Sequence, residues 1–301
     1  MPEQNIPDVI FGKDIHKKYK GFELSIPELH IKKGLAVALV GENGAGKSTL
    51  LNILSGVNRD FEGDIRYFDE QKSMAEDEND IKERLVFTAA KEYFFPDWSI
   101  EQVQNMYGIL FKSFDNEHFN ALYKDMELPE KNHKVSQLSD GNLMKLMLCG
   151  AFSRNTDLLI LDEPSAALDP LMRDSLNKML LNYLDEKNGR TVFFSTHNIS
   201  DMEKITDYLI IMEHGQIVEK GFADELQEKY IFMHDDSELS DDIKSFLYDT
   251  TVNKKGFDGI ALSTEKVNLE DKVSEIRPAS LSEISLAVMK HYSRRAQGMV
   301  L

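Results

Sequence analysis

Residues 41–49 read GENGAGKST, placed directly after the apolar run LAVALVG (35–41) and at the start of the helical pattern KSTLLNILSGV (47–57). This is the spacing G-x-x-x-x-G-K-[ST] of a phosphate loop, in the strand-to-helix context that the loop requires. Gly41, Gly44 and Gly46 allow the tight backbone path on which N–H groups and a helix N-terminus close around a phosphate. Lys47 can bridge a β- and a γ-phosphate, and the Ser48 hydroxyl can ligate Mg²⁺. Asn43 and Thr49 belong to the same stretch and are assigned to the bound nucleotide with it.

A second apolar run ends in LLILDEP, which sets Asp162 where a carboxylate can hold Mg²⁺ through water and Glu163 where it can polarise an attacking water. Taken alone, two acids after an apolar run describe a solvated strand end; downstream of a phosphate loop they read as a catalytic pair. A third run, TVFFSTH, ends in His197, a candidate γ-phosphate contact. Between these lies QLSDGNLMKL (137–146), which reads two ways. It is a helix start capped by Ser139, with Leu143, Leu146 and Met147 as an apolar stripe, and it is also a loop offering amides to a phosphate, with Asp140 placed where negative charge is least welcome.

These residues need a scaffold that brings strand ends together. LAVALVG, LLILDE and TVFFSTH are short, nearly unbroken apolar stretches, as suits parallel strands covered on both faces. Helical patterns follow the first two, so strand and helix alternate as in a wound α/β core. In such sheets ligands gather beyond the carboxyl ends of the strands, and Gly41, Asp162 and His197 are expected to meet there. Residues 92–150 carry helical patterns and aromatics and no convincing strand, which predicts a helical insertion. YLIIMEHGQIVEKG (208–221) predicts a hairpin turning at His214-Gly215. Beyond residue 225 the composition turns acidic and polar, and the chain ends with a helix capped by a Ser280–Glu283 box, with Leu281, Ile284, Ala287, Val288 and Tyr292 on one face. Residues 226–301 therefore read as a small accessory domain after a domain of residues 1–225.

Composition narrows the job. A chain of 301 residues that is 42% hydrophobic can bury one large core or a core with an appendage. Its net charge of −17 argues against coating nucleic acid, whose nonspecific affinity comes from many Lys and Arg contacts. The single cysteine, Cys149, excludes an internal disulfide and a cysteine zinc cage, and its place in an apolar helical pattern makes it a core residue. The eight histidines show no metal-ligand spacing. Apolar runs fall far short of the ~20 residues that span a bilayer, and the N-terminus lacks signal-peptide order, which predicts a cytosolic chain without a span of its own.

The ordered set GENGAGKST, LSDGN, LLILDEP, AALDP and STH resembles the ATP-binding subunit of an ABC transporter over residues ~8–225. The resemblance implies an α/β P-loop NTPase core with an antiparallel β subdomain, a helical insertion and a small C-terminal domain. It implies two ATPase units that sandwich two ATP molecules with Mg²⁺, each ATP held by the phosphate loop of one unit and the signature, usually LSGGQ, of the other. Ser139 and Gly141 then belong to the composite site, Asp169 to the dimer seam, Lys47, Glu163 and His197 to catalysis, and Ser48 and Asp162 to the metal. Tyr19 either stacks on adenine or covers a strand edge. Two departures stand out. The signature carries Asp140 in place of a glycine, and the glutamine that the family places between core and helical domain is replaced at Ala90 or Lys91; Gln102 and Gln104 are not nominated for its role.

The resemblance also implies docking on a separate membrane-spanning subunit at the cytoplasmic face of the membrane, through the aromatic-rich residues 92–111. There Met106, Ile109 and Leu110 suit a docking face and a packed core equally well. Within the family the chain is most similar to bacterial ABC-2-type exporter ATPases, including those of exporters of phenol-soluble modulins and antimicrobials. The rival readings are a soluble ABC ATPase of DNA-repair, ribosome-associated or iron–sulfur assembly type, and a nucleotide-dependent clamp that does not hydrolyse.

Overall fold

The computed structural model describes residues 6–69, 72–89, 94–187 and 189–296. These described residues form two compact units, one within 6–37 and 47–196 and the other within 38–46 and 197–296.

The first unit opens with a long antiparallel pair, β1 (Asp8–Tyr19) and β2 (Phe22–Lys32). A third strand, β4 (Glu62–Tyr67), pairs with β1 to complete a sheet ordered β2-β1-β4, the antiparallel subdomain. Strand β3 (Ala36–Val40) lies between β2 and β4 in sequence and passes from this unit into the second. Helix α1 (Lys47–Leu54) buries Leu50, Leu51, Ile53 and Leu54. Helix α2 (Glu78–Arg84) runs straight into β5 (Leu85–Thr88).

The helical segment follows as α3 (Ile100–Leu110), α4 (Asn116–Asp125) and α5 (Asp140–Phe152). No strand falls among its described residues, as the sequence predicts. Ser99 and Gln102 close a capping box that starts α3, and Gln104 is buried and bonded to Asn116, Asn120 and Lys131. Both glutamines are thus committed to holding the helical segment together. Cys149 is buried on α5, 3.5 Å from the Met126 sulfur, and burial pushes its thiol up to about 12. It is a core residue, as its apolar surroundings in sequence suggest.

Strand β6 (Leu158–Asp162), helix α6 (Pro170–Glu186) and strand β7 (Thr191–Thr196) complete the unit. β5, β6 and β7 are parallel and fully buried along their length, which explains why they read as unbroken apolar runs. The sheet continues to the start of β3, where the Val192 amide donates to the Leu35 carbonyl.

In the second unit, the end of β3 lies beside β8 (Tyr208–Glu213), which pairs with β9 (Gln216–Phe222). This is the expected hairpin; His214 and Gly215 turn it with φ of 46° and 77°. Helix α7 (Ala223–Lys229) leads to β10 (Tyr230–Asp235), followed by α8 (Asp241–Lys244), β11 (Leu247–Asn253), β12 (Gly256–Leu262), α9 (Lys266–Leu269) and β13 (Glu275–Pro278). The four strands form an antiparallel sheet, ordered β11-β12-β10-β13, over a core of Ile231, Met233, Ile243, Phe257, Ala261 and Leu269. The last helix, α10 (Leu281–Ala296), starts at the anticipated box: the Ser280 amide donates to Glu283 Oε2 at 2.8 Å and the Glu283 amide to Ser280 Oγ at 3.2 Å. Leu281, Ile284, Ala287 and Val288 are buried on one face of it, and each large aliphatic is worth about 1.5–3 kcal/mol of burial. Tyr292, the fifth residue of that face, is half-buried.

Candidate active site

Strand register places the two carboxylates. β6 and β7 run parallel with Asp162 opposite Ser195. Ser195 Oγ donates to Asp162 Oδ1 at 2.5 Å, and Ser195 Oγ in turn accepts from the Glu163 amide at 3.0 Å. Asp162 is 3% exposed, so this hydroxyl satisfies one oxygen of a carboxylate that water barely reaches and leaves the other oxygen available to a ligand. Glu163 leaves the strand with φ of 51°, a left-handed conformation uncommon for a residue with a side chain. Such local strain persists where neighbouring structure dictates it, and here the fixed strand end and the bond to Ser195 do so.

Lys47, the first residue of α1, is 6% exposed, and its Nζ lies 3.5 Å from Glu163 Oε1. Two opposite charges this far out of water require each other, because either alone would carry an uncompensated desolvation cost. Lys47, Asp162, Glu163 and Ser195 thus form one polar cluster at the carboxyl ends of buried parallel strands, with Ser48 exposed on the next residue of α1.

The glycines of residues 41–46 show in the second unit why they are needed. Gly44 and Gly46 have φ of 89° and 106°. At Gly41 the constraint is steric, since an added Cβ would stand 2.3 Å from the Met212 carbonyl oxygen. The β8–β9 hairpin grips this loop at two points: the Gly215 amide of its turn donates to the Ala45 carbonyl at 2.9 Å, and the Glu42 amide donates to the buried Glu213 at 3.4 Å. Asn43 and Gly44 are exposed. Thr49 is half-buried beyond the loop in α1. His197 follows β7 immediately, with an exposed side chain.

The signature residues resolve into a helix start. Ser139 caps α5 by accepting from the Asn142 amide at 3.3 Å, and Asp140 is the exposed first residue. Gly141 is fixed by a close approach: a Cβ there would lie 2.9 Å from the Ala167 carbonyl. That contact ties the signature to the turn that follows Glu163. The turn ends at Asp169, whose Oδ1 accepts from the Leu171 and Met172 amides and caps α6. Tyr19 is largely exposed at the end of β1, with its hydroxyl accepting from Asn58 at 3.1 Å and Lys17 5.3 Å from its ring centroid.

Sequence reasoning passed over three residues. Ser195 carried a signal, a hydroxyl at the end of an apolar run two positions before His197, but its partner is visible only once β6 and β7 are in register. Glu213 and Asn58 carried none. Ala90 and Lys91, the expected replacements for the family glutamine, lie outside the described residues, as do Glu92 and Tyr93 at the start of the aromatic segment. In the remainder of that segment the core reading fails for two residues: Ile109 is 83% and Leu110 57% exposed. Phe95 is 66% exposed, with its ring centroid 4.9 Å from that of Trp98. Among the described residues no helix is long and apolar enough to cross a membrane.

A family model described as ABC transporter matches residues 24–166. The putative ABC transporter ATP-binding protein AlbC of Bacillus subtilis is 30% identical over 195 residues, which cover 63% of this chain and 81% of that protein. The carnitine transport ATP-binding protein OpuCA of Listeria monocytogenes is 29% identical over 219 residues; these are 70% of this chain but 55% of OpuCA, so the match spans about half the length of that relative. The tungstate uptake system ATP-binding protein TupC of Peptoclostridium acidaminophilum is 27% identical over 68% of this chain and 95% of its own. Among solved structures, the dimeric structure of MJ0796, a bacterial ABC transporter cassette, superposes with a TM-score of 0.59 at 25% identity, over 71% of this chain and 98% of that one.

Proposed function

We propose, because this chain belongs to the ABC transporter family of ATP-binding proteins, that it hydrolyses ATP to drive a transporter whose membrane-spanning part is a separate chain. The observation that carries this reading is the cluster of Lys47, Asp162, Glu163 and Ser195. It combines a buried cation for phosphate oxygens with a carboxylate for water, both fixed by contacts within the chain.

In this mechanism the loop amides and Lys47 bind and orient the β- and γ-phosphates, and Glu163 holds the attacking water and takes its proton. On phosphate binding, Lys47 exchanges its ion pair with Glu163 for phosphate oxygens, which frees the carboxylate for that task. The oxygen donors Ser48 and Asp162 suit magnesium, a hard cation bound through one or two carboxylates together with substrate phosphates. Mg²⁺, when bound, would neutralise charge on the phosphates. His197 contacts the γ-phosphate, Tyr19 stacks on adenine, and Ser139 and Gly141 complete the site of a second ATPase subunit with Asp169 at the seam. The dimeric MJ0796 cassette supports a two-subunit arrangement.

The exposed Phe95, Ile109 and Leu110 supply the apolar anchors for a membrane partner at the cytoplasmic face of the membrane. For cargo we infer an exporter of amphipathic peptides or antimicrobials, a reading supported by the helix that PASLSEI opens and by the altered signature. The uptake function named for TupC sets the opposite direction as the alternative outcome. Reconstitution with the membrane protein that co-purifies with this chain tests both. Stimulation of Mg²⁺-dependent ATP turnover by amphipathic peptides on the chain's own side of the membrane supports export. A soluble partner, or peptides without effect, overturns it.

A further inference from the structure

The parallel strands that carry Asp162 and Ser195 begin, roughly 13 Å away by strand rise, at a second polar cleft. Its volume is about 180 Å³, and it is lined by Lys33, Arg84 and Lys187 together with Phe68, Asp69 and Asp157. Each cation sits just ahead of a strand: Lys33 before β3, Arg84 before β5 and Lys187 before β7. Three cations thus converge on one cleft in a chain of net charge −17.

Two carboxylates, Asp69 and Asp157, line the cleft with the three cations, one charge short of balance. Asp157 serves two cations at once, Arg84 through Nε and Lys187 through Nζ, each at 2.7 Å. Asp69 is exposed. The Lys33 ammonium makes no ion pair among the described residues, and its stem packs so closely over Gly189 that a Cβ there would lie 2.6 Å from it. The Arg84 guanidinium lies 3.6 Å from the Phe68 ring centroid, and Phe68 and Asp69 hold consecutive φ of 53° and 65° to bring that ring under it. The stacked guanidinium is hydrogen-bonded through Nε and only loosely paired through Nη1, with Asp80 at 3.9 Å, so its Nη2 remains for a further acceptor. A cleft of this size falls below the roughly 300 Å³ at which sites for drug-sized ligands begin, so it suits a single small group.

We propose that this cleft binds a phosphate-class oxyanion through Lys33, Arg84 and Lys187, at a site separate from the phosphate loop. The group is free inorganic phosphate or the phosphate of a small monoester; both present the oxygens that an arginine fork and two ammoniums recognise.

The test uses the full chain carrying Lys47→Ala, which removes the principal phosphate ligand of the loop. Calorimetric titration with inorganic phosphate is expected to show saturable binding at one site. Binding should weaken at least tenfold in Lys33→Ser/Lys187→Ser and persist in Lys33→Arg/Lys187→Arg. Glycerol phosphate, titrated in parallel, separates the sources: binding of both ligands admits a monoester, and binding of phosphate alone assigns the free ion. Should the double serine variant unfold, Lys33→Glu makes the same comparison. No saturable phosphate binding in the Lys47→Ala chain, or equal affinity after loss of the two lysines, overturns the proposal. Neither result bears on ATP turnover at the loop, so the two readings fail separately.

Discussion

Ser195 Oγ stands 2.5 Å from Asp162 Oδ1 and 3.0 Å from the Glu163 amide nitrogen, so a single hydroxyl orients both carboxylate residues at the end of β6. The proposed metal ligand and the proposed catalytic carboxylate are thereby coupled through the neighbouring strand. Removing that hydroxyl should disturb both at once.

Ser195→Ala leaves a buried carboxylate without its donor, and hydrogen bonds to charged groups contribute about 1.5–3 kcal/mol. A stability loss of that size in urea denaturation is expected, with a fall in ATP turnover, while Ser195→Thr keeps the hydroxyl and much of both. Unchanged turnover in Ser195→Ala would show that Glu163 is held by its strand end alone.

At Gly41, an added methyl group meets main chain, the Met212 carbonyl at 2.3 Å, which cannot step aside as a flexible side chain would. Gly41→Ala should cost about 1–3 kcal/mol, the usual scale of overpacking, and weaken nucleotide binding by displacing the loop from β8. Thermal denaturation with and without nucleotide reads both effects.

Asp140 sits one residue beyond the Ser139 cap, exposed at the positive end of α5. The helix favours a carboxylate there, yet the phosphate of a partner's ATP does not; two like charges ~6 Å apart repel by roughly 2–3 kcal/mol at an effective dielectric of ~20, less salt screening. Asp140→Asn and Asp140→Gly should both strengthen ATP-driven dimerisation, measured by light scattering. If neither does, the carboxylate is only a helix cap.

Much of this site was legible in sequence because its parts are local. A phosphate loop is contiguous, and fully buried strands announce themselves as apolar runs with polar ends. What was hidden depends on pairing across distance. Ser195 finds Asp162 only through the β6–β7 register, and Gly141 owes its place to the Ala167 carbonyl. Helical periodicity grouped Ile109 and Leu110 with Met106 but could not say whether anything covers them, and both lie exposed. The C-terminal sheet escaped notice because segments such as TTVNKKGFDG mix polar residues and glycines and show no clean alternation.

The start of α10 carries a pH signature. Burial acts to raise the Glu283 pKa, but hydrogen bonds from Arg277 and Ser280 outweigh it and hold the carboxyl below its ordinary value of 4.5. A depressed folded pKa stabilises above the unfolded value, and the contribution is lost as pH falls through the folded one. Glu283→Gln should therefore be less stable than the parent at pH 7, with the difference shrinking below about pH 4.5 in thermal melts. A gap that stays constant through this range would mean that shape, not charge, starts the helix.

The most direct test of the central claim is ATP turnover by Glu163→Gln, read together with its oligomeric state in ATP and Mg²⁺. Glutamine keeps the shape of the side chain but cannot take the proton of the attacking water, so turnover should fall at least a hundredfold, the lower end for general-base catalysis, while an ATP-bound dimer accumulates. Turnover equal to that of the parent chain would contradict the account, because the base would then be some group other than the carboxylate at the end of β6 that Ser195 helps to position.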